Sequence, residues 1–229
     1  MPQVKEVPFM KKKTRAFPVK TAVGIAAAAT GAVVWLAFGK GKLIPMQAYT
    51  VQRVIDGDTF VTAENQYVRV AGIQAPEMGF CGADEAKKEL EKLVMGKPIY
   101  FKMIFSDQYN RMVSLVYTGD GYVNEEMLKK GYATYAPRTS TENLGDLKDA
   151  GAYAREHKLG IFSTECTQLT NPDSPSCNIK GNVRNGKIYY LPDCGVYHNT
   201  SVQLYMGDRW FCSEKEAIAA GFRKPAQCP

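Results

Sequence analysis

The sequence predicts an α+β protein with a small second domain, and three features carry that prediction. Residues 47–165 alternate short apolar runs with amphipathic helical patterns. A polar stretch, residues 166–176, then separates a segment of about 53 residues, 177–229, that holds four cysteines. The first part of the chain contains an uncharged apolar stretch, residues 21–39. With 229 residues, 45% of them hydrophobic, and a mean hydropathy of -0.27, the chain is not disordered, collagen-like or polytopic.

The N-terminal segment has the length and flanking charge of a single membrane span. Residues 1–20 form a basic segment, which we expect to stay in the cytoplasm, and residues 21–39 would form a helix of about 28 Å, close to the hydrocarbon thickness of a bilayer. The preceding positive charge would send everything after residue 40 across the membrane. A cleaved signal peptide explains the pattern too, as does a buried core helix. The expected location is therefore the cell membrane, single-pass with an extracytoplasmic C-terminal part, or secretion after cleavage.

The formal net charge of +6 comes from this N-terminal part. Residues 1–42 hold eight basic residues and one acidic residue, so that the remaining 21 basic and 22 acidic residues give residues 43–229 a net charge of −1. A protein-wide basic field for nucleic acid is excluded.

The elements of the first domain follow in order from the periodicity. Residues 49–55, 59–62 and 67–73 predict a three-strand meander, and residues 98–105 and 112–117 predict two further strands. Helices are predicted over residues 82–96, 123–130 and 144–157, the first with acidic residues in its first turn and Gly96 after its end. Five strands with interspersed helices favour a small barrel.

The C-terminal segment predicts a small domain held by covalent links. Residues 166–176 are predicted to be a linker, and residues 177–229 hold strand-like runs at 187–191 and 202–205 and one helix near 214–220. All six cysteines follow the apolar segment, which favours disulfides in an oxidising compartment. Zinc is an alternative for the last four, although their separations of 17, 18 and 16 residues contain no Cys-x-x-Cys pair.

Several short motifs are ordinary alone but specific in their order. Asp56-Gly57-Asp58-Thr59 is by itself a hairpin signal, and Arg69 is by itself a charged residue of a strand. Over residues 49–163, however, the chain resembles the staphylococcal nuclease (thermonuclease) family. The matching segments are residues 54–59, 68–77, 107–111, 123–133 and 158–163.

The resemblance implies a five-stranded oligonucleotide/oligosaccharide-binding (OB) barrel with three helices that hydrolyses phosphodiester bonds of DNA and RNA with Ca²⁺. By resemblance, Asp58 is a carboxylate ligand of the cation and Glu77 orients or deprotonates the attacking water. Arg69 and Arg111 are catalytic residues that hold the phosphate through their planar forks. The remaining implied positions are Asp56 near the metal-bound waters, the Ala75 backbone carbonyl at the metal, and Tyr109 at the substrate.

One position departs from the family pattern. Gln74 replaces a metal-binding aspartate, so that the site loses a negative charge, and a divalent cation other than Ca²⁺ becomes an option. Gln108 also replaces a lysine that contacts substrate in the family. The alternative function is therefore a catalytically weakened OB module that captures nucleic acid or a protein partner.

The resemblance also bears on the cysteines and the C-terminal segment. Two points of such a barrel, at Cys81 and Cys166, could approach each other, so a Cys81–Cys166 disulfide is predicted. Residues 177–229 resemble a small domain often appended to bacterial nucleases of this kind. The four cysteines of this segment allow three disulfide connectivities, and we favour Cys177–Cys212 with Cys194–Cys228. The expected partners are DNA or RNA, and the membrane through residues 21–39; the sequence implies a monomer and no protein partner.

Overall fold

The structure is a computed structural model that describes residues 33–38, 42–137, 144–184 and 186–229. The chain divides into two compact units, residues 1–46 and residues 47–229. In the first unit, strands β1 (Val33–Phe38) and β2 (Lys42–Gln47) form a two-stranded sheet.

The helix predicted over residues 21–39 is wrong for residues 33–38, which form β1. This stretch contains Val33, Val34 and Trp35, and β-branched and aromatic residues favour extended backbone. The rest of the predicted segment, residues 21–32 and 39, lies outside the described residues, so the membrane anchor remains a prediction. Among the residues that are described, no helix combines the length and apolar character that a membrane crossing needs.

The first part of the second unit is built on one sheet. Its strands are β3 (Val51–Val54), β4 (Thr59–Thr62), β5 (Tyr67–Val70), β7 (Ile99–Ser106), β8 (Met112–Thr118) and β9 (Gly121–Tyr122). They follow the order β3-β4-β5-β8-β7, with β9 paired to β8, and the β5–β8 pair is parallel. A further strand, β6 (Ile73–Gln74), pairs with β10 (Thr134–Tyr135).

Strand alternation gives the β3-β4-β5 part of this sheet an inner and an outer face. Val54, Phe60 and Val68 are in register and belong to the main hydrophobic core. The neighbouring register row, Arg53, Val61 and Tyr67, lies on the opposite, outer face, because successive side chains of a strand point to opposite sides.

Three helices cover the core, and each buries one apolar stripe. They are α1 (Ala83–Val94), α2 (Val123–Lys129) and α3 (Gly145–Glu156). Ala86, Leu90 and Val94 of α1 recur at four-residue spacing and are fully buried. The acidic residues in the first turn of α1 and Lys92 in its last turn complement the helix dipole. The predicted helices and strands of this part agree with the observed bounds to within a few residues.

The C-terminal part contains a three-stranded sheet and one short helix. Strands β12 (Ile179–Asn182), β13 (Ile188–Tyr190) and β15 (Arg209–Phe211) have the order β13-β12-β15, and helix α4 (Glu214–Ala219) packs near β12 and β15. The disulfides Cys177–Cys212 and Cys194–Cys228 lie here, the pairing that the sequence analysis favours.

The segment predicted to be a linker is partly ordered by this C-terminal part. Strand β11 (Thr167–Gln168) pairs with β14 (Val202–Gln203), and Gln168 accepts a hydrogen bond of 2.6 Å from the Trp210 indole. The disulfide Cys81–Cys166 links the loop before α1 to the residue before β11. Both parts therefore contact each other closely.

Candidate active site

The candidate site is a polar cleft of about 260 Å³ at the ends of several sheet strands. The turn between β3 and β4 contributes two carboxylates, β5 an arginine, β6 and the following loop an amide and a carboxylate, and the β7–β8 turn a tyrosine and a second arginine. The lining residues are Asp56, Asp58, Arg69, Gln74, Ala75, Pro76, Glu77, Tyr109 and Arg111.

The β3–β4 turn is fixed by its own side chain and by close packing. Asp56 Oδ1 accepts a 2.9 Å hydrogen bond from the Asp58 amide, the local bond that favours Asp in turns. Gly57 lies so close to Ala75 and Ala86 that an added Cβ would stand 2.6 Å from the Cβ of each. The turn therefore requires glycine for space, and it holds Asp58 against the loop that follows β6.

Asp58 is buried and has three hydrogen-bond donors around it. Its Oδ1 accepts from Arg69 Nη1 and, at 2.9 Å, from the Thr59 hydroxyl, while Oδ2 accepts from the Ala75 amide at 3.0 Å. Burial raises the pKa of Asp58 to about 6, although Arg69 opposes that rise; the Asp56 carboxylate adds to it. Burial in the cleft therefore destabilises the ionised form of the Asp58 carboxylate.

Arg69 is buried, and its guanidinium is largely used by protein acceptors. Nη1 donates to Asp58, and Nη2 donates to the Ile73 carbonyl at 3.3 Å and to Gln74 Oε1 at 2.8 Å. A guanidinium has five N–H donors, so two remain for a ligand. The sequence predicts Arg69 as a phosphate clamp, whereas in the structure it also orders the carboxylate and the amide beside it.

Gln74 connects Arg69 to Glu77. Its Oε1 accepts from Arg69, and its Nε2 donates to the Ala75 carbonyl at 3.2 Å and to Glu77 Oε1 at 3.5 Å. Aspartate has no such donor, so the departure from the family pattern removes a charge and adds a contact to Glu77. Glu77 is exposed at the mouth of the cleft.

Arg111 is held by a residue that the sequence analysis leaves out of the site. Asp107 Oδ2 accepts from Arg111 Nε at 2.8 Å and lies 2.8 Å from Nη2, and Oδ1 accepts from the amides of Tyr109 and Arg111. Burial raises the pKa of Asp107, but these hydrogen bonds outweigh it, so that the pKa lies below its usual value. The Asp-x-x-x-Arg spacing across a turn is the signal that could have identified this pair.

A second cleft, of about 440 Å³, adjoins the first and shares its two arginines and its tyrosine. Phe105 and Val113 form its apolar floor, and Ser106, Asp107 and Gln108 contribute its polar part. Tyr109 is 70% exposed, and the Arg111 guanidinium lies 5.2 Å from the centre of its ring. This combination offers an aromatic face and a cation side by side.

The structure thus gathers every residue predicted for the metal, the phosphate and the substrate into one cleft, while their chemical roles stay predictions. The donors that could hold a cation are all oxygens, which suits a hard divalent ion. Asp58 uses three of about four acceptor positions, so its carboxylate retains one for a cation. Within the described ranges, no group of three or more His, Cys, Asp or Glu side chains is arranged to hold an ion, so any cation would rely on Gln74 and backbone oxygens as well.

The fold and cleft define an α+β domain that presents carboxylates and guanidinium groups together, the residue types that a phosphodiester site needs. Residues 67–164 match the family model described as Staphylococcal nuclease homologue, so this part of the chain is similar to that family.

Three relatives illustrate the similarity. An uncharacterised 38.1 kDa protein of Capnoides sempervirens is 32% identical over 137 residues, which are 59% of this chain and 38% of that protein. A probable endonuclease LCL3 of Verticillium alfalfae is 30% identical over 149 residues, 59% of this chain and 52% of that protein. A probable staphylococcal-like nuclease CAN1 of Oryza sativa is 40% identical over 108 residues, 47% of this chain and 32% of that protein. The chain thus spans about half or less of the length of these relatives.

Proposed function

We propose that this protein is an endonuclease that hydrolyses phosphodiester bonds of DNA or RNA in the cleft between Asp58, Glu77 and Arg111. The observation that supports the proposal most strongly is the convergence of two arginines and three carboxylates on one cleft. Phosphodiester hydrolysis develops negative charge at phosphorus and needs a base or orienting group for water, and this cleft holds both kinds of group. The names of the relatives LCL3 and CAN1 agree with the proposal.

A bound divalent cation, Ca²⁺ by family resemblance, would supply positive charge at the phosphate oxygens and at the attacking water. Its protein ligands would be the Asp58 carboxylate, the Gln74 amide oxygen and the Ala75 carbonyl, with Asp56 beside its waters. Because Gln74 replaces an aspartate, the ligand set has one negative charge fewer. We therefore expect weaker cation binding or an altered cation preference, with activity retained.

The protein side chains divide the remaining work. Glu77 is the exposed carboxylate at the cleft mouth, where it can accept a proton from water or orient it. Arg111 directs its Nη1 group, which has no acceptor among the described residues, to the phosphate while Asp107 holds its other nitrogens. Arg69 uses two donors for the phosphate and three to fix Asp58, Ile73 and Gln74.

The proposal is tested by digestion of single-stranded DNA with the purified protein in Ca²⁺, in Mg²⁺ and in EDTA, beside Glu77→Ala and Arg69→Ala. The proposal predicts cation-dependent cleavage that both substitutions abolish. Intact DNA under every condition, with binding preserved, would refute it in favour of the capture module.

The role of Gln74 has its own test. Gln74→Asp restores the family's carboxylate but cannot donate to Glu77, so we expect half-maximal activity at a lower Ca²⁺ concentration and an altered rate. If neither the Ca²⁺ dependence nor the rate changes, Gln74 has no part in the cation site.

We propose further that residues 47–165 form the closed five-stranded barrel of the family and that the protein works in an oxidising compartment outside the cytoplasm. Reciprocal hydrogen bonds of 2.9 Å between Tyr49 and Ile99 support the barrel, because they join the residues directly before the first strand of the sheet order to its last strand. The three disulfides support the compartment. Mass spectrometry of the protein after extraction with an alkylating reagent tests the second point, since alkylated cysteines would contradict it.

A further inference from the structure

An exposed arginine and an exposed tyrosine form a bridge on the outer face of the sheet, outside both clefts. Arg53 Nη2 donates to the Tyr67 hydroxyl at 3.2 Å, and the guanidinium carbon lies 5.9 Å from the centre of the Tyr67 ring. The two residues lie on β3 and β5, with Val61 of β4 in register between them. Val61 is fully buried although it points to the outer face, and the bridge joins the two residues that flank it in register.

The bridge lies on the same sheet face as the candidate site. Tyr67 and Arg69 are two residues apart on β5, which places their Cα atoms ~6.6 Å apart on one face. Arg69 pairs with Val113 of the parallel strand β8, and continuing this register by two residues brings Arg111 level with Tyr67. In the strand order β3-β4-β5-β8, Arg53 on β3 therefore comes first, Arg69 on β5 next, and Arg111, directly before β8, last.

The bridge repeats the chemistry found at the site. Arg111 lies beside the exposed ring of Tyr109, and Arg53 lies beside Tyr67, whose side chain remains 45% exposed despite the hydrogen bond. A tyrosine ring next to a guanidinium offers a stacking face for a base and a cation for the adjoining phosphate. A structural cover for Val61 alone would not require a charged group, since an aliphatic side chain would serve.

From this arrangement we propose that Arg53 and Tyr67 bind a nucleotide neighbouring the one in the cleft, in a subsite that takes an unpaired base. The proposal rests on the proposed function for the position of the scissile phosphate. The Tyr67 ring stacks on an unpaired base, and Arg53 contacts a phosphate. A duplex keeps its bases stacked on one another, so it gains only the Arg53 contact.

The test uses the full-length protein carrying Glu77→Gln, so that nucleic acid is bound and not consumed. The affinity for a fluorescent oligothymidylate is measured by anisotropy at several salt concentrations, with a duplex of equal length for comparison. Tyr67→Leu keeps an apolar side chain beside Val61 and is expected to weaken single-strand binding about five- to hundred-fold. Its effect on the duplex is expected to be small, and Tyr67→Phe, which keeps the ring, is expected to bind like the parent.

Arg53→Gln tests the guanidinium group of Arg53 independently, in case Tyr67→Leu perturbs folding. It is expected to reduce the slope of log affinity against log salt by about 0.7, the value for one phosphate contact with a single strand. Lys148→Gln is the matched control, since Lys148 is an exposed cation on α3, and it should leave the slope unchanged. Parental affinity in both Tyr67→Leu and Arg53→Gln would overturn the proposal, as would an equal loss of single-strand and duplex binding in Tyr67→Leu.

Turnover separates this proposal from the proposed function. In the Glu77-containing protein, Tyr67→Leu and Arg53→Gln should hydrolyse bis(p-nitrophenyl) phosphate at the parental rate, because that small diester occupies only the cleft. Their KM for oligothymidylate should rise with kcat unchanged. Failure of the parent to hydrolyse either substrate would refute the nuclease function, while the binding measurement would still decide the role of Arg53 and Tyr67.

Discussion

Gly57→Ala tests whether close packing behind the β3–β4 turn positions the site. The new Cβ would lie 2.6 Å from both the Ala75 and the Ala86 Cβ atoms, ~0.9 to 1.4 Å inside the usual contact of about 3.5 to 4.0 Å. Ala75 belongs to the loop after β6 and Ala86 to α1, so a shift away from one neighbour does not by itself relieve the other. Overpacking of this kind costs ~1 to 3 kcal/mol of unfolding free energy.

The same displacement should affect catalysis more than stability. Ala75 donates to Asp58 Oδ2 at 3.0 Å and is followed by Pro76 and Glu77, so a shift of the loop moves a proposed ligand and the proposed base together. A misplacement of about 1 Å in an active site reduces the rate about 100-fold. We therefore expect kcat on single-stranded DNA to fall by about that factor in a protein that still folds.

Two matched variants complete the experiment, with stability measured by urea denaturation and activity by DNA cleavage. Gly119→Ala places a methyl group where no atom lies within 4 Å, so stability and kcat should stay near the parental values. Ala86→Gly removes one of the two Cβ atoms that clash, although glycine in helix α1 itself costs ~1 kcal/mol. In the double variant, Gly57→Ala should therefore reduce stability and kcat less than it does alone. Parental stability and parental kcat in Gly57→Ala would refute the packing argument.

Three further predictions address charge and covalent structure. Because the folded-state pKa of Asp58 is raised from 3.8 to about 6, the stability that its proton confers is present below about pH 3.8 and lost by about pH 6. Urea denaturation in EDTA should therefore show the parent losing ~2 kcal/mol relative to Asp58→Asn between these limits, whereas a constant difference would contradict the shift. Asp107→Asn should lower kcat/KM for DNA about tenfold, the equivalent of a charge-assisted hydrogen bond of ~1.5 kcal/mol, by releasing Arg111; an unchanged value would show that Arg111 needs no such support. Removing Cys81–Cys166 by a double alanine substitution frees partners separated by 85 residues and should cost ~4.5 kcal/mol of unfolding free energy in chemical denaturation, while a loss below ~1 kcal/mol would contradict the loop-entropy argument.

The sequence predicted the regular elements well where local periodicity determines them. The stripe of Ala86, Leu90 and Val94 sets α1, and alternation sets β3 to β5, so their bounds were close to those observed. Two-residue strands such as β11 and β14 depend on a partner distant in the chain, and no local pattern reveals that partner. Residues 33–38 carry both an apolar helical length and β-branched side chains, and there the local preference for extended backbone prevailed.

The site was predictable in its residue types but not in its hydrogen bonds. The resemblance carried by the ordered motifs named Asp58, Glu77 and Arg111, and the structure brings all three to one cleft, while their roles stay predictions. Spacing cannot tell how many donors of Arg69 are already used by protein acceptors, since that depends on side-chain geometry across β5 and β6. The bridge between Arg53 and Tyr67 spans two strand gaps and has no signature in the sequence.

In the proposed reaction, water held in this cleft attacks the phosphorus of a nucleic acid diester. Cleavage of single-stranded DNA in ¹⁸O-labelled water, followed by mass spectrometry of the product phosphate, measures whether this attack occurs. We expect one ¹⁸O atom in each new terminal phosphate and loss of this product in Glu77→Ala. Cleavage products without the label, or no cleavage at all, would contradict it.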